Sequence, residues 1–260
     1  MSESTPVRPP RHRGIYLLPN LFTTGAMFAG FYAIVSGIGG QFVEAAIAVF
    51  LAAVLDGMDG RVARLTGTQS EFGVQYDSLS DLVSFGLAPA LVMYTWSLSA
   101  MRDIGPLWGK VGWACAFIYV ACAALRLARF NTQAGVADKR YFQGLASPAA
   151  AAVNMSFVWT MEKSGWSGSE LCYASAAIAL VTGLLMVSRF RYFSFKSLPM
   201  GERGSVPFAW MVVAVLLLAL LYLAPARVLL VGFTLYLLSG PVWTIWARLA
   251  HRRRGRRQPT

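Results

Sequence analysis

Charge is what this chain has least of. Only 13% of its 260 residues are Asp, Glu, Lys or Arg, while 56% are hydrophobic. Ordinary globular domains carry roughly 25% charged residues, so most of this chain does not face water. It has two histidines and three cysteines. Cys115, Cys122 and Cys172 fall in apolar stretches without CxxC spacing, which argues against a disulfide framework or a zinc site. They read as small core hydrophobes. The 24 Gly and 12 Pro have no period, which removes collagen-like and low-complexity readings. With a mean hydropathy of +0.52, a disordered chain, a secreted disulfide module and a water-soluble enzyme all fit poorly. What remains is a polytopic membrane protein.

Acids are scarcer than bases, 12 against 23, for a net charge of +11. In a membrane chain this excess reports cytoplasmic loops and attraction to anionic lipid, and no nucleic-acid partner is expected. A transmembrane helix needs about 20 mostly apolar residues. That length picks out eight segments, 18–37, 42–64, 79–100, 108–126, 148–161, 171–188, 207–223 and 228–247. Positive charges concentrate on the cytoplasmic side of membranes. Eight spans with both termini inside put 19 of the 23 basic residues on that side, leaving Arg102, Lys110, Lys163 and Arg227 opposite. The expectation is therefore an all-α, polytopic integral membrane helical bundle of about eight spans. A basic segment (1–15) would precede one transmembrane domain (16–250), and a disordered basic tail (251–260) would follow it. Trp96, Trp108, Trp159 and Trp166 lie near span ends and read as an interfacial belt.

Against that background four acids stand out. Asp56, Asp59, Asp77 and Asp81 lie within 26 residues, at the ends of the second and third spans. An ionised side chain within a span is expensive, so an intramembrane acid is a functional-site hypothesis by default. On helices, Asp56 and Asp59 share one face and Asp77 and Asp81 another, and a short loop between the helices lets all four meet. Crowded carboxylates repel unless neutralised, and only Arg61 and Arg64 are at hand. Hard oxygen ligands in this number suit Mg²⁺, Mn²⁺ or Ca²⁺, and two such ions would hold a diphosphate. The plainer alternative is that the acids cap helices or pair with Arg61 and Arg64. Gly60, Ala63 and Gly73 keep the same faces free of bulk, which suits close approach of a ligand or close helix packing.

Written out, the stretch is Asp56-x2-Asp59-Gly60-x2-Ala63-Arg64-x8-Gly73-x3-Asp77-x3-Asp81. It resembles, at every fixed position, the signature of the CDP-alcohol phosphatidyltransferase family of integral membrane enzymes. The resemblance implies a two-metal site, with Mg²⁺ or Mn²⁺ held by Asp56, Asp59, Asp77 and Asp81. It implies that Gly60, Ala63, Arg64 and Gly73 receive CDP-diacylglycerol, Arg64 at phosphate. It implies that Asp81 is the catalytic base. The flanking stretch from Ser78 to Pro89 looks like the family's serine-accepting (type II) branch. The opening Leu18-Pro19-Asn20-Leu21-Phe22-Thr23-Thr24 is similar to that branch too, as are 124–131 and Gly144-Leu145-Ala146-Ser147-Pro148. Ala146 stands where a proline is more usual.

On this resemblance the chain transfers a phosphatidyl group from CDP-diacylglycerol to the hydroxyl of L-serine and releases CMP. The expected setting is a bacterial inner membrane with the active site on the cytoplasmic side, in a monomer or homodimer. Arg126 and Arg129, three apart on one helix face and followed by Asn131, are candidates for reading the serine carboxylate or a lipid phosphate, since an Arg fork suits either. Asn20, Thr23 and Thr24 are weaker candidates, because such residues also serve as helix caps. Three rival readings remain. A family member could use another acceptor, glycerol 3-phosphate or an inositol phosphate. A membrane prenyltransferase would need two Asp-rich motifs far apart in the chain. A divalent-cation carrier would hold its acids near the bilayer midplane.

Overall fold

Small residues decide how the helices of this chain meet. The structure is a computed structural model, and it describes residues 17–67, 70–133, 141–193 and 208–255. Helix α1 (Leu17–Ile38) turns Phe28, Phe31, Tyr32 and Val35 outward and buries Ala26, Ala29, Gly30 and Ala33. Helix α2 (Phe42–Thr66) meets that face with buried Ala45, Ala46, Ala48, Val49 and Ala52. In lipid, large side chains gain nothing by turning inward, whereas small ones let backbones approach and pack.

Gly67 ends α2 in the left-handed conformation (φ 63°), its N–H bonded to the Ala63 carbonyl. Ser70 then starts α3 (Glu71–Asp81), its Oγ accepting the Gly73 N–H at 3.0 Å. This cap starts the helix well before the apolar stretch expected at 79, so Asp77 and Asp81 lie inside a helix and not at its edge. The rod continues through a π-helical segment (Leu82–Leu87) into α4 (Ala88–Trp96). The π segment follows Asp81 directly, a common position for such segments beside functional sites. It is pinned to α1 by Ser80 Oγ on the Thr23 carbonyl and Ser84 Oγ on the Ala26 carbonyl, both at 3.0 Å. Only glycine fits opposite, since a Cβ on Gly30 would lie 2.7 Å from Ser84 Cα.

A 3₁₀ turn (Leu98–Ala100) and a short α5 (Met101–Ile104) lead into the long α6 (Pro106–Gln133), followed by α7 (Ser147–Lys163) and α8 (Cys172–Val187). The three cysteines are free and buried, as the sequence implies. Strands β1 (Tyr141–Gln143) and β2 (Arg191–Phe193) pair antiparallel, a small ribbon that the sequence reading did not anticipate. Helices α9 (Phe208–Leu223) and α10 (Pro225–Gly255) complete the bundle.

Two prolines cut notches in this bundle, and a buried tyrosine fills each. Proline lacks an N–H and strips the carbonyl four residues earlier of its helical donor. Behind Pro89 the Phe85 carbonyl accepts from Tyr119 Oη at 3.0 Å, and behind Pro241 the Leu237 carbonyl accepts from Tyr192 Oη at 3.2 Å. Gly240 makes room for the second ring, which a Cβ there would meet at 2.4 Å.

The architecture is thus helical apart from the ribbon. Among the described residues, four stretches are long and apolar enough to cross a membrane: Pro19–Ile38, Glu71–Trp96, Pro106–Thr132 and Pro225–Thr244. Helices also form at the other four expected segments, α8 and α9 being shorter apolar helices. Two expectations need correction. Trp96 and Trp159 are buried and not part of an interfacial belt: the Trp96 indole donates to Glu162 at 2.7 Å and Trp159 packs on Phe50. The helix of α10 runs on to Gly255, so a disordered tail does not begin at His251. Arginine is a good helix former, and cations at a helix C-terminus suit its dipole. Residues 1–16, Lys139, Arg140, Lys196, Arg203 and the end of the tail from Arg256 lie outside the described residues.

Candidate functional site

The capped turn between α2 and α3 brings two acidic faces together. Asp56, Asp59 and Asp77 each offer a carboxylate oxygen, all within 4.8 Å of one another. Asp81 joins through Asp56, whose carboxyl lies within hydrogen-bond range of both Asp77 and Asp81. All four aspartates of the signature therefore share one cluster. Asp59 is buried and Asp56, Asp77 and Asp81 are partly so. Asp59 Oδ2 accepts the Thr23 hydroxyl at 2.7 Å, a charge-assisted bond of about 1.5–3 kcal/mol. Asp77 Oδ1 is buried without any hydrogen-bond partner. Such an oxygen, among three further carboxylates and with no sulfur or imidazole, fits a hard divalent cation. Capping does not account for the cluster, because these carboxylates face one another and not the ends of helices.

One side of the cluster is open. A Cβ on Gly57 or Gly60 would meet nothing within 4 Å. Ala63 lies half-buried two turns past Asp56, and Arg64 is exposed in the last turn of α2. Gly73 differs from these. It sits in the first turn of α3 beneath its cap, and a Cβ there would come 3.1 Å from Ser70 Oγ and 3.7 Å from Asn20 Oδ1. Its smallness serves the helix start.

The arginine pair also divides. Arg126 donates Nη1 to the fully buried Ser147 Oγ at 2.6 Å and stands close enough to Asp81, Tyr236 and Tyr119 to interact with their charges or dipoles. Arg129 instead donates to Gln143 Oε1 beside the ribbon. Asn131 donates Nδ2 to Ser78 Oγ at 2.9 Å, at the polar end of a cavity of about 230 Å³ between α3 and α6. Arg126 alone of the three faces the carboxylates. Two of the α1 candidates have partners on other helices. Thr23 is buried with its hydroxyl on Asp59, and Thr24 bonds Tyr76 Oη at 2.9 Å. Ser147, Gln143, Ser80 and Tyr236 were not singled out in the sequence. Ser147 and Ser80 carried a local signal, in their places within Gly144–Pro148 and Ser78–Pro89; the others take their meaning from residues distant in the chain.

A helical bundle with apolar, membrane-compatible helices and a carboxylate cluster fit for divalent cations in its second and third helices defines a class, that of helical membrane proteins with an acidic metal-type site. The profile of the CDP-alcohol phosphatidyltransferase family matches residues 16–187, and the chain belongs to that family. It is 36% identical over 228 residues to a CDP-diacylglycerol–serine O-phosphatidyltransferase of Helicobacter pylori, covering 87% of this chain and 90% of the relative. It is 38% identical over 194 residues to the Mycobacterium tuberculosis protein of that name, covering 69% and 64%. An archaetidylserine synthase of Methanothermobacter thermautotrophicus is 37% identical over 177 residues, covering 67% and 69%. The chain is therefore a transferase, and the cation-carrier and prenyltransferase readings fall away.

Proposed function

We propose that this chain is a CDP-diacylglycerol–serine O-phosphatidyltransferase, which moves the phosphatidyl group to the hydroxyl of L-serine and releases CMP. The observation that carries the chemistry is the aspartate cluster with its unpartnered Asp77 oxygen. The relatives named for serine transfer support the acceptor.

Asp56, Asp59, Asp77 and Asp81 would hold two divalent cations, Mg²⁺ or Mn²⁺. When bound, these supply the positive charge that offsets the diphosphate and the departing CMP. Gly60 and Ala63 leave the α2 surface open for the cytidine, and Arg64 meets phosphate. Asp81 takes the proton from the serine hydroxyl, which is a weak nucleophile until a base does so. Arg126 stands within electrostatic reach of Asp81. A serine carboxylate held on its guanidinium would bring the hydroxyl next to that base, and Ser147 keeps the guanidinium aimed. CDP-diacylglycerol enters laterally from the bilayer, while serine and CMP exchange with the cytoplasm. Eight spans with both termini inside put the aspartates on the cytoplasmic face, and the basic residues flanking α2, α6 and α10 support that orientation.

The test is a transfer assay on purified protein with CDP-diacylglycerol and Mn²⁺ or Mg²⁺, offering serine, glycerol 3-phosphate and inositol phosphate in parallel. Serine-dependent CMP release that disappears in Asp77→Asn is the expected result. Activity with another acceptor overturns the serine assignment and leaves the chemistry standing. Asp81→Asn should lose turnover more than CDP-diacylglycerol binding, and equal loss of both would make Asp81 a plain ligand. Arg126→Lys should raise the serine KM and leave the CDP-diacylglycerol KM alone.

A further inference from the structure

We infer that Thr23 is a positioning residue for the divalent-cation site, fixing the Asp59 carboxylate from α1 and thereby setting how tightly the cations are held. The inference rests on the metal reading of the cluster given above.

The Thr23 side chain is buried, and its hydroxyl has one proton to give. Two acceptors lie within reach, Asp59 Oδ2 at 2.7 Å and the Pro19 carbonyl at 3.2 Å. The carboxylate is closer and charged, so it takes the proton. In a helix threonine divides between two χ1 wells, and the bond to Asp59 holds Thr23 in the one that presents its hydroxyl to the carboxylate. With Oδ2 tied, rotation of the Asp59 carboxylate is arrested. The same residue is held from the other acidic helix, because its carbonyl accepts from buried Ser80 Oγ at 3.0 Å. Thr23 thus touches Asp59 on α2 and the immediate neighbour of Asp81 on α3. It is a brace between the two ligand-bearing helices, supplied by a third helix that carries no ligand. Partners that orient metal ligands typically change metal affinity roughly 10- to 100-fold when removed. A role in recognising serine would need a hydroxyl free to turn toward the substrate, and this one is committed.

The experiment measures Mn²⁺ affinity of the purified full-length protein by the electron paramagnetic resonance signal of free Mn²⁺, alongside thermal unfolding and kinetics. Thr23→Val, which keeps the shape and loses the hydroxyl, should weaken Mn²⁺ binding roughly 10-fold or more. Saturating Mn²⁺ should restore most of kcat, with the serine KM unchanged. Thr23→Ser should return the affinity close to wild type. Thr95→Val should leave it unchanged, since that hydroxyl bonds its own helix at the other end of the bundle. Unchanged Mn²⁺ affinity in a folded Thr23→Val protein overturns the inference, and so does a raised serine KM at unchanged Mn²⁺ affinity. Should Thr23→Val fail to fold, Ser80→Ala removes only the outer bond of the brace; a smaller loss of affinity supports the inference and wild-type affinity overturns it. If wild type and Asp77→Asn bind Mn²⁺ alike, the metal reading itself has failed, a result distinct from failure of Thr23 alone.

Discussion

Two pairs of glycines, one at each end of the bundle, serve opposite purposes. At the aspartate end, Gly57 and Gly60 face open space, with nothing within 4 Å of an added Cβ. At the other end a Cβ on Gly168 would lie 1.9 Å from the Trp96 carbonyl oxygen, and one on Gly112 would lie 2.4 Å from that of Leu98. There the α7–α8 loop is pressed onto the end of α4 and fastened by Ser97 Oγ on the Gly168 carbonyl at 2.6 Å and by the Trp96–Glu162 bond. At the aspartate end the small residues leave room for a ligand; at the other, Gly112 and Gly168 let backbones meet beside a cavity of about 730 Å³ that Trp96, Glu162, Gly165 and Gly168 line. Stability and chemistry are therefore separable between the two ends of the bundle, and variants at those ends should tell them apart.

The largest expected effect is at Gly168. Gly168→Ala must displace the Trp96 backbone and should lose about 3 kcal/mol of stability, read as a lower unfolding temperature, while Mn²⁺ affinity of the protein that remains folded is unchanged. A Gly168→Ala protein as stable as wild type would break the contrast. The open end should respond in reverse. Gly60→Ala meets no atom and exchanges a poor helix former for the best, so stability should hold or rise by about 0.5–1 kcal/mol, while the CDP-diacylglycerol KM increases. A fall in unfolding temperature would show that Gly60 is a packing residue after all. The smallest effect is at Glu162→Gln. A neutral acceptor still takes the Trp96 proton, through a bond roughly half as strong, so stability should fall by about 1 kcal/mol or less with kinetics unaltered. Altered metal dependence there would mean that the two ends are coupled.

The site was more legible in the sequence than its supports were. Asp56, Asp59, Asp77 and Asp81 follow helical spacing across a short turn, so local periodicity alone brings them together. The start of α3 was misplaced because a hydropathy scan registers Leu79 and overlooks Ser70, whose cap draws the polar residues before Asp77 into the helix. Trp96 looked like a belt residue because its partner, Glu162, lies far along the chain. The Thr23–Asp59 bond was hidden for the same reason, since Asp59 sits on another helix. The β1–β2 ribbon joins two segments separated by α7 and α8, and three-residue strands leave no periodic trace. What periodicity carries was readable, and what pairing across the fold carries was not.

The notch at Pro241 has a consequence for how the molecule is made. The four carboxylates and their Thr23 brace are all synthesised by residue 81. Tyr192, its seat in α10 and Tyr236, which is within electrostatic reach of Arg126, come together only once α10 has been made. A nascent chain would carry a finished cation site long before the surroundings of Arg126 were closed, so ribosome-bound or C-terminally clipped forms should grip metal and yet leave the acceptor corner unfinished.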